Sequence, residues 1–288
     1  MTDFTLLKEL YWIHSPSTYE NGIQGYIRNY LNKYGIKFDI DNDNQTYSLS
    51  NQNKPLIVVH TDQVSFKPIT QLFETKDKIY GNSNIGADDK NGIWILLQLL
   101  KDYPDLNFIF SNQEEIGGKI DNLLRKKQDT LLNIPYCLVF DRKGKGDIIG
   151  SENQYCSIDF ENELSEIGKA YSYKSGRGVW SDCDNIRYYL NCVNLSCGYH
   201  EAHTKKEYTV KSELLNALEF AKAIIDNVTK SFDLEWSNQY YDDDDIMSIC
   251  PHCYANLEDV LEGNPEYGQY CLFCQYETNN YILDRDCY

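Results

Sequence analysis

The chain has 288 residues, 42% of them hydrophobic and 25% charged, which suits one large domain, or a domain with a small module, and excludes general disorder. Its best apolar stretch, residues 93–100, is interrupted by Gln98 and falls short of the roughly 18 residues a membrane span needs. The net charge is −17, of which −12 falls on residues 231–288; such a surface repels phosphate backbones, so nucleic acid is excluded as a partner.

Residues 1–8 carry an acid and no basic stretch ahead of an apolar one. They do not read as a secretory signal, and a cytoplasmic protein is expected. Helical spacing of apolar residues predicts helices over 2–13 and 19–34. The turn Ser15-Pro16-Ser17 separates them, and Gly35 stops the second, whose apolar face carries Ile23, Tyr26, Ile27, Tyr30 and Leu31. An edge strand is expected over 36–40, apolar strands over 55–59, 106–110 and 135–140, and helices over 92–100 and 213–228. Strands alternating with helices argue an α/β fold: a three-layer sandwich in which helices flank a mixed, mainly parallel sheet.

The acidic run at 239–246 reads as a solvated linker between a main domain, 1–238, and a tail, 247–288. The tail holds Cys250-Pro251-His252-Cys253 and Cys271-Leu272-Phe273-Cys274, with 17 residues between the pairs. That is the spacing of a closed four-thiolate zinc site, so Cys250, Cys253, Cys271 and Cys274 are expected to hold one structural zinc in a small ribbon. Its acidity argues for a structural role, or for contact with a protein partner or a second copy. The other six of the ten cysteines show no ligand spacing and read as small buried hydrophobes.

Three predicted strands run directly into metal-type ligands: 55–59 into His60-Thr61-Asp62, 106–110 into Ser111-Asn112-Gln113-Glu114-Glu115, and 135–140 into Asp141. A fourth cluster, Gly86-Ala87-Asp88-Asp89-Lys90-Asn91-Gly92, precedes a helix, and two of the five histidines, His200 and His203, stand late in the chain. Unpaired charges beside apolar strands are costly to bury. A pair of divalent cations accounts for these acids and histidines together, and imidazole with carboxylate suits zinc, manganese or cobalt. In open α/β sheets, the crevice at the carboxyl ends of the strands is where sites are built.

The set His-Thr-Asp, Gly-Ala-Asp-Asp-Lys-x-Gly, Glu-Glu-x-Gly, Phe-Asp and a late His-Thr-x-x-Glu resembles the co-catalytic zinc exopeptidase superfamily, which includes peptidase T, acetylornithine deacetylase and the glutamyl-aminopeptidase type. Ser15-Pro16-Ser17-Thr18-Tyr19-Glu20 is similar to the segment these enzymes carry after their first helix. The resemblance covers roughly residues 1–230. The Asp-Asp-Lys segment is closer to peptidase T, while Gln113-Glu114-Glu115-Ile116-Gly117 and Ser181-Asp182 are closer to the aminopeptidase branch. It implies two divalent ions, zinc before cobalt or manganese. Asp88 would bridge them and be followed by a cis peptide; His60 and Asp141 would complete one site, Glu115 and His203 the other. It also implies that Asp62 orients His60 and that Glu114 is the general base. Thr204 and Glu207 make His203 a better match than His200.

Relatives often insert a lid of about a hundred residues between the ligands matching Asp141 and His203. Here 61 residues separate them, room for a strand, a helix and their loops, so no lid is expected. The expected activity is hydrolysis of a terminal peptide bond of small peptides. The alternatives are an N-acyl amino acid amidohydrolase using the same centre and a catalytically silent binding protein. Arg177, between two glycines, fits a substrate contact no better than a solvated loop.

Overall fold

Strands that are apolar along their whole length need cover on both faces, and the three apolar runs of the sequence lie in the middle of one sheet. The computed structural model describes residues 4–64, 66–234 and the segments 261–264 and 268–271. The chain divides into two units, 1–235 and 236–288.

The first unit opens with helices α1 (Thr5–Trp12) and α2 (Asn21–Lys33), then strands β1 (Asp39–Ile40), β2 (Thr46–Ser48), β3 (Leu56–His60), β4 (Leu72–Glu74) and β5 (Lys78–Gly81). Helix α3 (Ala87–Asp102), strand β6 (Asn107–Ser111), helices α4 (Ile120–Lys126) and α5 (Gln128–Leu131), and strands β7 (Cys137–Arg142) and β8 (Asp147–Ile149) follow. Helix α6 (Ile158–Gly168), β9 (Lys174–Gly176), α7 (Cys183–Ile186), β10 (Cys192–Ser196), β11 (Tyr199–His200), β12 (Tyr208–Val210) and α8 (Lys211–Asn227) complete it.

Eight strands form the main sheet in the order β1-β2-β6-β3-β7-β10-β8-β9. Its centre, β6-β3-β7-β10, is parallel, while β2 and β8 join antiparallel. Alternation along the strands sorts the core into two layers. Ile57, Val59, Phe108, Phe110, Leu138 and Phe140 pack with buried residues of α1, α2, α3, α6 and α8, whereas Leu56, Val58, Ile109, Cys137 and Val139 pack with α4, α5 and α7. This is the expected sandwich of a mixed, mostly parallel sheet between helices. The chain leaves β3 through α3 to β6, then crosses by α4 and α5 to β7 on the other side of β3, so the carboxyl end of β3 lies at a change of direction in the strand order, where a crevice opens.

Several sequence expectations need adjustment. The strand predicted over 36–40 narrows to Asp39–Ile40, at the sheet edge. The helix predicted over 92–100 extends back to Ala87, although Asp88 and Asp89 themselves lack helical dihedrals. Between Asp141 and His203 the chain holds two helices, not one, and strands β8, β9 and β10 extend the main sheet. A second, antiparallel sheet, β11-β12-β5-β4, was not anticipated; its two- to four-residue strands carry too little periodicity to read. Among the described residues no helix is long and apolar enough to cross a membrane.

In the second unit Leu261–Asn264 and Gly268–Cys271 pair as antiparallel strands, with Leu261 opposite Cys271. Cys250, Cys253 and Cys274 of the expected ribbon lie outside the described residues, as does the linker 239–246.

Candidate metal centre

Four strand ends and turns converge at the crevice. His60 is the last residue of β3, Asp141 lies near the end of β7, Glu114 and Glu115 open a short 3-10 turn just after β6, and Asp88 stands at the start of α3. His203 enters from the loop between β11 and β12. Two ligand groups result, His60-Asp88-Asp141 and Asp88-Glu115-His203, each with its ligand atoms within 4.8 Å of one another. Asp88 is common to both, and its oxygens are divided between them. Its Oδ1 lies 3.1 Å from His60 Nε2, and its Oδ2 lies 3.1 Å from His203 Nε2. Asp141 Oδ1 is 3.6 Å from His60 Nε2, and Glu115 Oε2 is 3.0 Å from His203 Nε2.

Gly86 has φ +64°, and the Asp88–Asp89 peptide is cis, the isomer the superfamily resemblance implied. Asp89 turns inward, accepting from the backbone N–H of His60 at 3.2 Å and of Gly92 at 3.0 Å. A Cβ on Gly92 would collide with that carboxylate. Glu207 reaches across from the second sheet and accepts from the N–H groups of Ala87 at 2.9 Å and Asp88 at 3.5 Å, as a carboxylate at a helix start should.

Asp62 joins the same group of residues as an organiser. It accepts from Ser17 Oγ at 2.7 Å and from the N–H groups of Glu114 and Glu115 at 2.9 and 3.2 Å, and it stands 3.4 Å from His60 Nδ1. One carboxylate thereby ties the first histidine to the turn that carries both glutamates. The segment after α1 is held there too, since the N–H of Gln63 donates to Ser15 O.

The electrostatics are those of a crowd of acids with too few cations. Burial, then the nearby Asp141, pushes the Glu114 carboxyl well above the usual range, and burial with Asp88 pushes Asp141 up to about 8. Asp88 goes the other way: burial opposes ionisation, but the two histidines outweigh it and hold it low. His203 is raised to about 10 by its contacts with Asp88 and Glu115. Glu115 Oε1 is buried without a hydrogen-bond partner. An orphaned carboxylate oxygen, shared acids and two imidazoles make a donor set that fits divalent cations.

His200 stands apart from the cluster. Its Nε2 lies 2.6 Å from Glu213, and its ring stacks on Tyr208. Arg177 is exposed just beyond β9. Three contributors escaped sequence reasoning. The Tyr199 hydroxyl donates to Asp141 Oδ1 at 3.2 Å, Asn194 grips the Asp141 backbone through both N–H and C=O, and Ser111 Oγ donates to the buried Asp182 at 2.6 Å. Ser111 directly follows the predicted apolar run 106–110, a signal that could have found it; Asn194 lies in a strand that was not predicted, and nothing local marked Tyr199.

No protein-family model and no curated protein matches the chain. Solved structures do. Aminopeptidase PepT from Bacillus cereus superposes with a TM-score of 0.63 at 14% identity, covering 78% of this chain and 97% of that one. An aminopeptidase from the archaeon Desulfurococcus kamchatkensis gives 0.61 at 15%, covering 82% and 97%. The PhTET1-12s dodecamer gives 0.60 at 15%, covering 78% and 99%. The chain therefore has the fold of these three solved structures.

Proposed function

We propose that the chain is a metal-dependent aminopeptidase acting on small peptides. The observation that carries this reading is Asp88, which offers one oxygen to each of two mixed histidine-carboxylate groups with Glu114 beside them. His60, Asp88 and Asp141 would hold one divalent ion, and Asp88, Glu115 and His203 the second, zinc before cobalt or manganese. A pair of cations held there supplies a Lewis acid for the scissile carbonyl and a water of lowered pKa.

The chain's own residues do the rest. Glu114, whose burial raises its proton affinity, takes a proton from the attacking water as oxygen bonds to the carbonyl carbon. It then gives that proton to the leaving nitrogen as the C–N bond breaks. Asp62 holds Glu114 and His60 in register, and Tyr199 holds Asp141. In the second unit, Cys250, Cys253, Cys271 and Cys274 are proposed to bind one structural zinc, with the boundary near 238. Self-association, named for the Pyrococcus horikoshii TET1 peptidase, is proposed here as well.

The test is a panel of aminoacyl-anilides, dipeptides and N-acyl amino acids, assayed after reconstitution with zinc, manganese or cobalt. Release of the amine from the first two classes, lost in Glu114→Gln, is the expected result. Turnover confined to N-acyl amino acids would replace the aminopeptidase by an amidohydrolase, and no turnover of any class would sink both.

A further inference from the structure

The second sheet, β11-β12-β5-β4, ends at β4, and among the described residues no strand pairs with the outer side of that strand. Its register shows which backbone groups face outward. Thr75 N donates to Lys78 O at 2.8 Å and Asn82 N donates to Gln71 O at 3.2 Å, with Phe73 opposite Tyr80 between them. Residues 71, 73 and 75 therefore direct their backbone groups to β5. Alternation turns the N–H and C=O of Leu72 and Glu74 to the open edge.

The face of this sheet that points away from the core carries one row of rings. Phe73 stands opposite Tyr80, Tyr80 opposite Tyr208, and Tyr208 opposite His200, so the row crosses all four strands. Phe73 and Tyr80 are stacked with centroids 5.3 Å apart, Tyr208 and His200 at 5.0 Å. The intervening residues Ile79, Thr209 and Tyr199 are buried on the other face. Where the row reaches the open edge its rings are exposed, Phe73 by 41% and Tyr80 by 39%.

Charge usually guards such an edge against pairing. Here the guard is neutralised, since Glu74 is held by Lys8 at 2.8 Å and by Lys211 at 3.1 Å. Residues 67–78 carry three lysines against two acids, Glu74 and Asp77, in a chain of net charge −17. A locally positive hairpin meets the negative field of a second copy with attraction where most of an acidic chain would meet it with repulsion.

We infer that β4 is the surface through which two copies of this chain associate, strand against strand, about a two-fold axis at Phe73. The edge is self-complementary in that arrangement. With Phe73 opposite Phe73, Leu72 of each copy exchanges both of its backbone bonds with Glu74 of the other, and all the outward groups of the strand are satisfied. Phe73 falls in a non-hydrogen-bonded pair, where side chains approach most closely, so the two rows of rings join into one. No like charges stand opposite, because Glu74 faces Leu72. The joined sheet also carries the loop of His203, which connects β11 to β12. The inference deepens the self-association proposed above by giving it a surface, and it is independent of the activity.

The experiment follows the full-length, zinc-reconstituted protein by sedimentation velocity over a series of concentrations. The wild type is expected to form a dimer or an assembly built from dimers. Phe73→Glu and Phe73→Lys should each weaken that association by about thirtyfold, the worth of a central aromatic anchor, with circular dichroism and metal content unchanged. An equimolar mixture of the two variants should associate again, since only about the inferred axis does residue 73 face itself and bring glutamate against lysine. A wild type that stays monomeric at every concentration overturns the inference together with the self-association. Association retained by both variants overturns the surface and leaves self-association intact. Loss in both variants with no recovery in the mixture overturns the two-fold pairing.

Discussion

The two ligand groups share Asp88 but are built from different materials. His60 and Asp141 belong to central strands of the sheet, and the His60 side chain is 1% exposed. Glu115 sits on a short turn between left-handed Gln113 and Gly117. His203 also has a left-handed backbone, φ +60°, and its side chain is 53% exposed. Sheet hydrogen bonds fix the first group, whereas the second is carried by loops and reaches solvent through His203, the Glu115 carboxylate being only 7% exposed. The contrast in exposure therefore lies between the two histidines.

The largest effect should come from removing what the two sides share. Asp88→Ala is expected to abolish turnover and to lose both ions by elemental analysis; retention of one full ion would mean that the groups do not depend on a common carboxylate. Next is Glu114→Gln, which should lower kcat by about 100-fold or more with metal content unchanged, since Glu114 belongs to neither group. Activity within about tenfold of wild type would remove it from the general-base role.

Removal of metal should then separate the two sides. Under a chromogenic chelator the solvent-facing group is expected to empty first, giving two phases of release; His203→Ala should eliminate the fast phase and His60→Ala the slow one. A single phase in the wild type would show that the difference in burial has no kinetic consequence. Proton release sharpens the same contrast. His203, raised to about 10 by its contacts with Asp88 and Glu115, holds a proton at pH 8 that it must lose to become a ligand. Calorimetric enthalpies in buffers of different ionisation heat should therefore report proton release at pH 8, diminished in His203→Ala. The smallest effect expected is that of Tyr199→Phe, which removes the hydroxyl on Asp141 and should cost about tenfold in affinity for the buried ion.

The residues that follow the central strands were the more legible in the sequence. His60, Glu114, Glu115 and Asp141 each follow an apolar run by one or a few residues, so strand periodicity alone brought them to the carboxyl ends of neighbouring strands. Asp88 was legible through its glycines, because Gly86 must take a positive φ and Gly92 must leave room for Asp89. The strand Cys192–Ser196 escaped notice because Asn194 and Ser196 interrupt its apolar character; Asn194 holds the backbone of Asp141, and Ser196 holds the turn that follows it. The sheet beneath His203 escaped because its register depends on partners far along the chain: Tyr208 pairs with Tyr80, and Thr209 with Ile79. Contacts of that range leave no local pattern to read.

Glu207 carries the same long-range dependence into the making of the protein. The carboxylate that secures the N–H groups of Ala87 and Asp88 arrives 120 residues after Ala87. A nascent chain that has not yet reached that point holds its crowd of acids without His203 and without the clasp on the start of α3. The second candidate ligand group is therefore completed late in synthesis, after the strands of the parallel core have been made. A metal ion captured too early would meet only the half of the centre that the sheet itself supplies.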